Sequence, residues 1–126
     1  MSLFGIGIDI VQIDRMEKMI EKHGDIFAKK IFHENELAIY LDLKFKARFL
    51  AKRFAAKEAF SKALGTGIAD GITLPNIEIL NDKLGKPKLF LHGKTKEIFS
   101  ESGANSIFLS ISDEKSYAVA QVVLEA

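Results

Sequence analysis

From Leu3 to Ile13 the chain reads "LFGIGIDIVQI", with β-branched residues at nearly every other place (Ile6, Ile8, Ile10), as in a strand. The period then lengthens. In "DRMEKMIEKHG" the apolar residues Met16, Met19 and Ile20 and the stop at Gly24 predict a short helix. "DIFAKKIF" and "ENELAIYLDL" predict one or two further short helices. From Lys44 to Leu64 no Pro or Gly interrupts a run rich in Ala, Leu, Lys, Arg, Phe and Glu, so a long helix is expected. Gly65 stands where a helix takes its left-handed terminal residue, which only Gly adopts without steric cost. Beyond it the pattern turns to β, with "NIEILND", a turn at "KLGKP", and "KLFLHG". "KTKEIFSESG" reads as a short helix ending at Gly103, and "SIFLSISD" and "YAVAQVVLEA" as alternating strands of a hairpin. This order predicts an α+β fold, an antiparallel sheet packed on the long helix.

Composition narrows the class. A chain of 126 residues, 48% hydrophobic with ten Phe, is expected to form one domain over residues 1–126 around a single core. The absence of cysteine excludes disulfides, thiolate metal sites and a Cys nucleophile. A net charge of +1 carries no bias toward nucleic acid or membrane. The apolar opening "LFGIGI" meets Asp9 before reaching the length of a signal-peptide core, and no run approaches a membrane span. A soluble, cytoplasmic protein is expected.

Candidate chemistry gathers on the long helix. Arg53, Lys57 and Ser61 are four apart, as are Phe54, Glu58 and Lys62, so each set shares a face. Glu58 before Lys62 is also the favourable order for a plain surface ion pair. The following Gly65, Thr66 and Gly67 offer amides that could approach an anion, but the C-terminal end of a helix repels phosphate. The stretch is therefore no P-loop, and a phosphate here must be held by Lys62, Arg53, Lys57 or a bound cation. Asp9, flanked by glycines in an apolar strand, is costly to bury unpaired, or else sits at a solvated strand end. Should Asp9 and Glu58 meet, the two carboxylates would suit a hard cation such as magnesium. His23, His33 and His92 have no ligand spacing to one another and read as surface residues. Arg15, Lys18 and Lys22 form a basic stripe on the first helix that is either solvated surface or a face for an acidic partner.

Three separated segments, "GIGIDIVQIDR", "FAAKEAFSKALGTGI" and "SISDEKSYAVAQVV", with "GKP" at residues 85 to 87, resemble the holo-acyl-carrier-protein synthases along essentially the whole chain. The resemblance implies transfer of the phosphopantetheine arm of coenzyme A to a serine hydroxyl of apo-acyl carrier protein, with release of adenosine 3′,5′-bisphosphate. It places the family's magnesium ligands on Asp9 and Glu58 and its active-site lysine on Lys62. Its coenzyme A contacts fall on Arg53, Lys57, Ser61, Lys62, Gly65, Thr66, Gly67 and Pro87, and its carrier-protein contact on Arg15. Lys18 and Lys22 join Arg15 by geometry alone. The family fold is α+β and the implied assembly is a homotrimer with sites between protomers.

One position departs from the family pattern. Asp113 stands where the late strand usually carries His, and a carboxylate cannot combine a donor with an acceptor as neutral imidazole does. Asp113 could accept a hydrogen bond, touch the metal through water, or be an ordinary turn residue. The implied chemistry is metal-assisted displacement at the pantetheine-side phosphorus, with Lys62 meeting the leaving group's charge. A metal-held water, or a carboxylate acting through water, would take the serine proton. Two rivals remain. A broader transferase acting on peptidyl carriers is usually about twice this length. A carrier-binding module without catalysis would not need Asp9, Glu58 and Lys62.

Overall fold

The first strand turns its isoleucines outward. In the structure, a computed structural model describing residues 2–126, β1 (Leu3–Gln12) exposes Ile6, Ile8 and Ile10 by about 60% each, whereas Gly7 and Val11 are buried. Alternation puts Gly5, Gly7, Asp9 and Val11 on one face. That face lies against the long helix α4 (Ala47–Leu64). A Cβ on Gly7 would stand 2.0 Å from the carbonyl oxygen of Ala59, and one on Gly5 2.1 Å from that of Ala63. The helix therefore touches the strand backbone to backbone, and any side chain larger than hydrogen would push the two apart.

After β1 the chain runs directly into α1 (Ile13–His23), which buries Met16. Gly24, at φ 58°, turns it into α2 (Asp25–Lys29), and α3 (Glu34–Leu41) follows. α4 starts three residues later than the pattern suggests, at Ala47, and ends as expected on Gly65 in the left-handed conformation, φ 91°. A 3₁₀ turn at Leu74–Asn76, not foreseen from the pattern, is set by Pro75 in its first positions. It leads to β2 (Ile77–Asn81) and β3 (Pro87–Leu91), paired antiparallel. Then come α5 (Gly93–Ser102), β4 (Ser106–Asp113) and β5 (Tyr117–Glu125).

The sheet order is β1-β5-β4, all antiparallel, with β2-β3 as a separate two-stranded ribbon. The expected hairpin of the last two strands is present, and β5 lies in the centre, pairing Asp9 with Ala120 and Val11 with Ala118. The inward residues of β5, Ala118, Ala120, Val122 and Leu124, meet α4, which is lined with Ala55, Ala56, Ala59 and Ala63. Larger side chains fill the far side of the helix: Tyr40, Leu50, Phe60, Ile72, Ile77 and Ile79 are buried. The fold is α+β, with the long helix between the sheet on one side and the short helices and ribbon on the other.

The Gly7 contact gives a stability test. Gly7→Ala drives a methyl into the α4 backbone and is expected to destabilise by about 3 kcal/mol, read from the urea midpoint. A midpoint equal to wild type would show that helix and strand are not pressed together.

Candidate active site

The close packing of α4 on β1 carries Asp9 to the helix edge that bears Glu58 and Lys62. Lys62 Nζ lies 3.0 Å from Asp9 Oδ1 and 3.0 Å from the carbonyl oxygen of Ile8. The surface pair within the helix is thus not what forms, because Lys62 reaches across to the strand. Burial raises the pKa of Glu58, the negative charge of Asp9 raises it further, and Lys62 opposes both. Two carboxylates and one ammonium therefore share a site that is closed on the Asp9 side (17% exposed) and open on the Lys62 side (52% exposed). A buried-edge glutamate whose ionisation is opposed by a neighbouring aspartate fits a hard divalent cation, which favours oxygen ligands and would relieve that repulsion.

The Arg53, Lys57, Ser61 stripe faces inward. Lys57 is completely buried, and its ammonium reaches Glu36 Oε1 at 2.6 Å and the carbonyl oxygens of Ile31 at 2.6 Å and Leu74 at 3.0 Å. Three protons meet three acceptors. Burial still pulls its pKa down to about 8, against the pull of Glu36. Glu36 also accepts hydrogen bonds from the backbone N–H of His33 and of Ile79. Ser61, likewise buried, donates to the carbonyl of Glu58 at 2.7 Å. Glu36 is absent from the residues singled out by spacing. The available signal was Lys57 itself, since a lysine among Ala55, Ala56, Ala59 and Phe60 demands a buried counter-charge.

Arg53 is 6% exposed, stacks on the Phe49 ring at 4.4 Å, and lies 3.6 Å from Glu36 Oε2. Its buried Nη1 has no hydrogen-bond partner. With Pro87, Lys52, Asn81 and Gly85 it lines a cleft of about 120 Å³, so the helix and the "GKP" turn converge there. The amides of Gly65, Thr66 and Gly67 are already spent, all three donating to the carbonyl of Ser61 at 3.1 to 3.2 Å. What that turn offers a ligand is its exposed backbone surface, not spare donors.

Asp113, at the end of β4, is held by two cations that spacing did not single out. Arg48 Nη1 donates to Asp113 Oδ2 at 2.8 Å, and Lys52 Nζ lies 3.5 Å from Oδ1. The Arg48 hydrogen bond lowers the pKa of Asp113 and outweighs its partial burial, with Lys52 adding to the effect. Arg48 also donates to the carbonyls of Glu114 and Lys115, tying the β4–β5 turn to the start of α4. On α1, Arg15, Lys18 and Lys22 are all exposed, and Lys18 pairs with Asp14 at 3.2 Å.

Comparison with known proteins places the chain in a family. Residues 5–122 match the family described as the 4′-phosphopantetheinyl transferase superfamily. A holo-[acyl-carrier-protein] synthase of Vibrio atlanticus is 54% identical over 126 residues, covering 100% of both chains. The crystal structure of the Neisseria meningitidis holo-[acyl-carrier-protein] synthase superposes with a TM-score of 0.94 at 41% identity, covering 99% of this chain and 100% of that one. A Bacillus anthracis synthase in complex with CoA (3′,5′-ADP) follows at 0.83 and 44%, covering 98% and 97%.

The buried Lys57 separates structural from ligand roles on α4. Lys57→Met takes from Glu36 its closest buried cation, leaving only the Arg53 guanidinium at 3.6 Å, and is expected to cost about 3–5 kcal/mol. Glu36→Leu combined with Lys57→Met should recover part of that loss in a urea titration. A stable Lys57→Met protein would show that the buried pair does not hold α3 to α4.

Proposed function

The chain belongs to the 4′-phosphopantetheinyl transferase superfamily, and from that premise we propose that it transfers the 4′-phosphopantetheine arm of coenzyme A to a serine of apo-acyl carrier protein. The observation that carries this reading is the meeting of Asp9, Glu58 and Lys62 where β1 crosses α4. The second product is adenosine 3′,5′-bisphosphate. In this reading the whole of 1–126 works as one transferase domain in the cytoplasm, where both substrates would be met.

Asp9 and Glu58 would hold magnesium. When bound, the ion supplies positive charge to the pyrophosphate oxygens as the phosphorus–oxygen bond breaks. Lys62, a cation at this crossing that is open to solvent, would meet the charge that develops on the departing bisphosphate. Glu58 has a raised proton affinity and suits the role of base toward the serine hydroxyl, through a water. Arg53 and Pro87, in their cleft, would contact the adenosine end of coenzyme A, while Gly65, Thr66 and Gly67, outside that cleft, are assigned to the same ligand by the family resemblance. Lys57 and Ser61 support this wall from inside α4. Asp113 supports the site through Arg48 and Lys52 and does not enter the chemistry.

The outer face of the sheet supports self-association, which the family resemblance makes a homotrimer. Ile6, Ile8 and Ile10, with Phe108 at 54% exposed and Tyr117 at 43%, make an apolar surface, which a second and third copy would cover. Asp9 lies on the opposite face of the same strand, so protomer contacts would form close to the site. Sedimentation at micromolar concentration tests the assembly.

Incubation with coenzyme A, magnesium and apo-carrier, read by mass for the added arm, tests the activity. Asp9→Ala and Glu58→Ala are each expected to lower turnover by more than roughly 100-fold, beyond the usual cost of losing a ligand's hydrogen-bond partner. Because Glu58 keeps its proton to higher pH than an ordinary glutamate, the magnesium needed for half-maximal activity should rise as pH falls through the acid range. An unchanged magnesium requirement in either variant would refute the ligand assignment.

The carrier contact is tested separately. Acyl carrier proteins are acidic, and Arg15 opens the exposed basic stripe of α1, three residues beyond the end of β1. Exposed charges of this kind steer encounter and set register. Arg15→Glu should raise KM for apo-carrier several-fold and leave that for coenzyme A nearly unchanged. Lys18→Glu and Lys22→Glu should act more weakly, Lys18 being already engaged by Asp14. Equal changes in both KM values would mean that the stripe is plain solvated surface.

A further inference from the structure

Away from the β1–α4 crossing, and independent of the reading above, three residues from distant parts of the chain converge. We propose that His33, Glu78 and His92 form a site for a zinc-class divalent cation that joins the start of α3 to β2 and to the start of α5. One ligand atom from each lies within 4.8 Å of the others. Two imidazoles and one carboxylate are the donor set of open zinc sites, and imidazole selects zinc or cobalt over magnesium.

The surroundings already orient the ligands. His33 Nδ1 lies 3.2 Å from the carbonyl oxygen of Pro75. A carbonyl only accepts, so Nδ1 carries the proton and Nε2 keeps its lone pair for a metal. Glu78 is 3% exposed, and Asn35 Nδ2 donates to its Oε2 at 3.0 Å, leaving Oε1 toward the histidines. Burial alone would push the Glu78 pKa up, but the hydrogen bonds from His92 and Asn35 outweigh it, and the group stays ionised. His92 Nε2 lies 2.9 Å from Glu78 Oε1, a contact that requires a proton between them. A cation replaces that proton and both atoms become ligands: the neutral ring carries its one proton on Nδ1 instead, and a doubly protonated ring releases the Nε2 proton to solvent and keeps the one on Nδ1.

The two rings now stack, with planes 9° apart and centroids at 4.0 Å, so the in-plane ligand directions of the two rings lie in parallel planes and do not meet at one point. Rotation of His92 about its broad terminal torsion makes them converge. At zinc bond lengths, tetrahedral ligand atoms stand about 3.3 Å apart, which asks for a closure of roughly 1–1.5 Å. The His92 side chain is 37% exposed, which gives the ion an entry and leaves its fourth position to water. Glu36, which bonds the N–H of His33 and of Ile79, holds both His33 and β2 from behind.

Cobalt and zinc are titrated into the full chain with millimolar magnesium present, cobalt being followed by its visible absorption and zinc by calorimetry. One tightly bound equivalent per chain, unaffected by Asp9→Asn, is expected. It should be lost in His33→Gln and in His92→Gln, whose folding is checked by circular dichroism. Asn35→Ala should weaken it about 10-fold or more. Zinc should also raise Tm of wild type by several degrees and leave that of His92→Gln unmoved. Absence of tight binding to the folded wild type would overturn the proposal. So would binding that survives His92→Gln and disappears in Asp9→Asn, since the ion would then sit at the β1–α4 crossing.

Discussion

The contact between α4 and β1, in which glycine faces alanine, sets the position of nearly every group discussed above. Gly5 and Gly7 admit the carbonyls of Ala63 and Ala59 to a distance at which a Cβ would overlap them. Two residues further along the same strand face comes Asp9, and so the approach that excludes side chains at Gly5 and Gly7 also delivers a carboxylate to the helix. Helix and strand can therefore hold Asp9, Glu58 and Lys62 together without any loop intervening. Sites built on such elements keep their geometry better than sites on loops.

A second constraint works on the opposite side of α4. Lys57 and Glu36 form a fully buried pair whose remaining hydrogen-bonding capacity is taken up by backbone groups from the end of α2, the start of α3, the 3₁₀ turn and β2. A pair of this kind adds little stability over an apolar one of equal volume, yet breaking it is costly. It fixes where four segments meet, and it anchors the strand that carries Glu78 and the residue, His33, that opens α3.

The element order was legible from the sequence because the periods differ so plainly. "LFGIGIDIVQI" alternates, the run up to Leu64 does not, and Gly65 marks the change with the left-handed conformation it adopts. The orientation of β1 was less legible. Three isoleucines look like a core face, and only the geometry of Gly5 and Gly7 shows that the glycines face inward. The i, i+4 stripes of α4 were likewise visible as stripes, but not as buried or exposed. This helix is enclosed on most sides, so charge does not mark its solvent face; Arg53 and Lys57 lie inside while Lys62 lies outside. Asp9 with Glu58 and Lys62 could be named from the resemblance, whereas Glu36, Arg48 and the His33–Glu78–His92 group depend on contacts 14 to 67 residues apart that no local spacing encodes.

Asp113 shows how such long-range contacts alter the meaning of a single departure from a family pattern. Taken alone, a carboxylate where the resemblance implies an imidazole loses a donor and adds a negative charge beside the site proposed for phosphates. Arg48 and Lys52 remove the second objection, because their two positive charges face the one carboxylate and leave the corner cationic. The first objection also loses force, since Arg48 brings the donors that Asp113 lacks and places them at the carbonyls of Glu114 and Lys115. The corner thus joins β4, its turn and the first residues of α4 by charge-assisted hydrogen bonds, which are stronger than neutral ones. Lys52 also lines the cleft that holds Arg53 and Pro87, so the ion pair at Asp113 is continuous with the wall of that cleft.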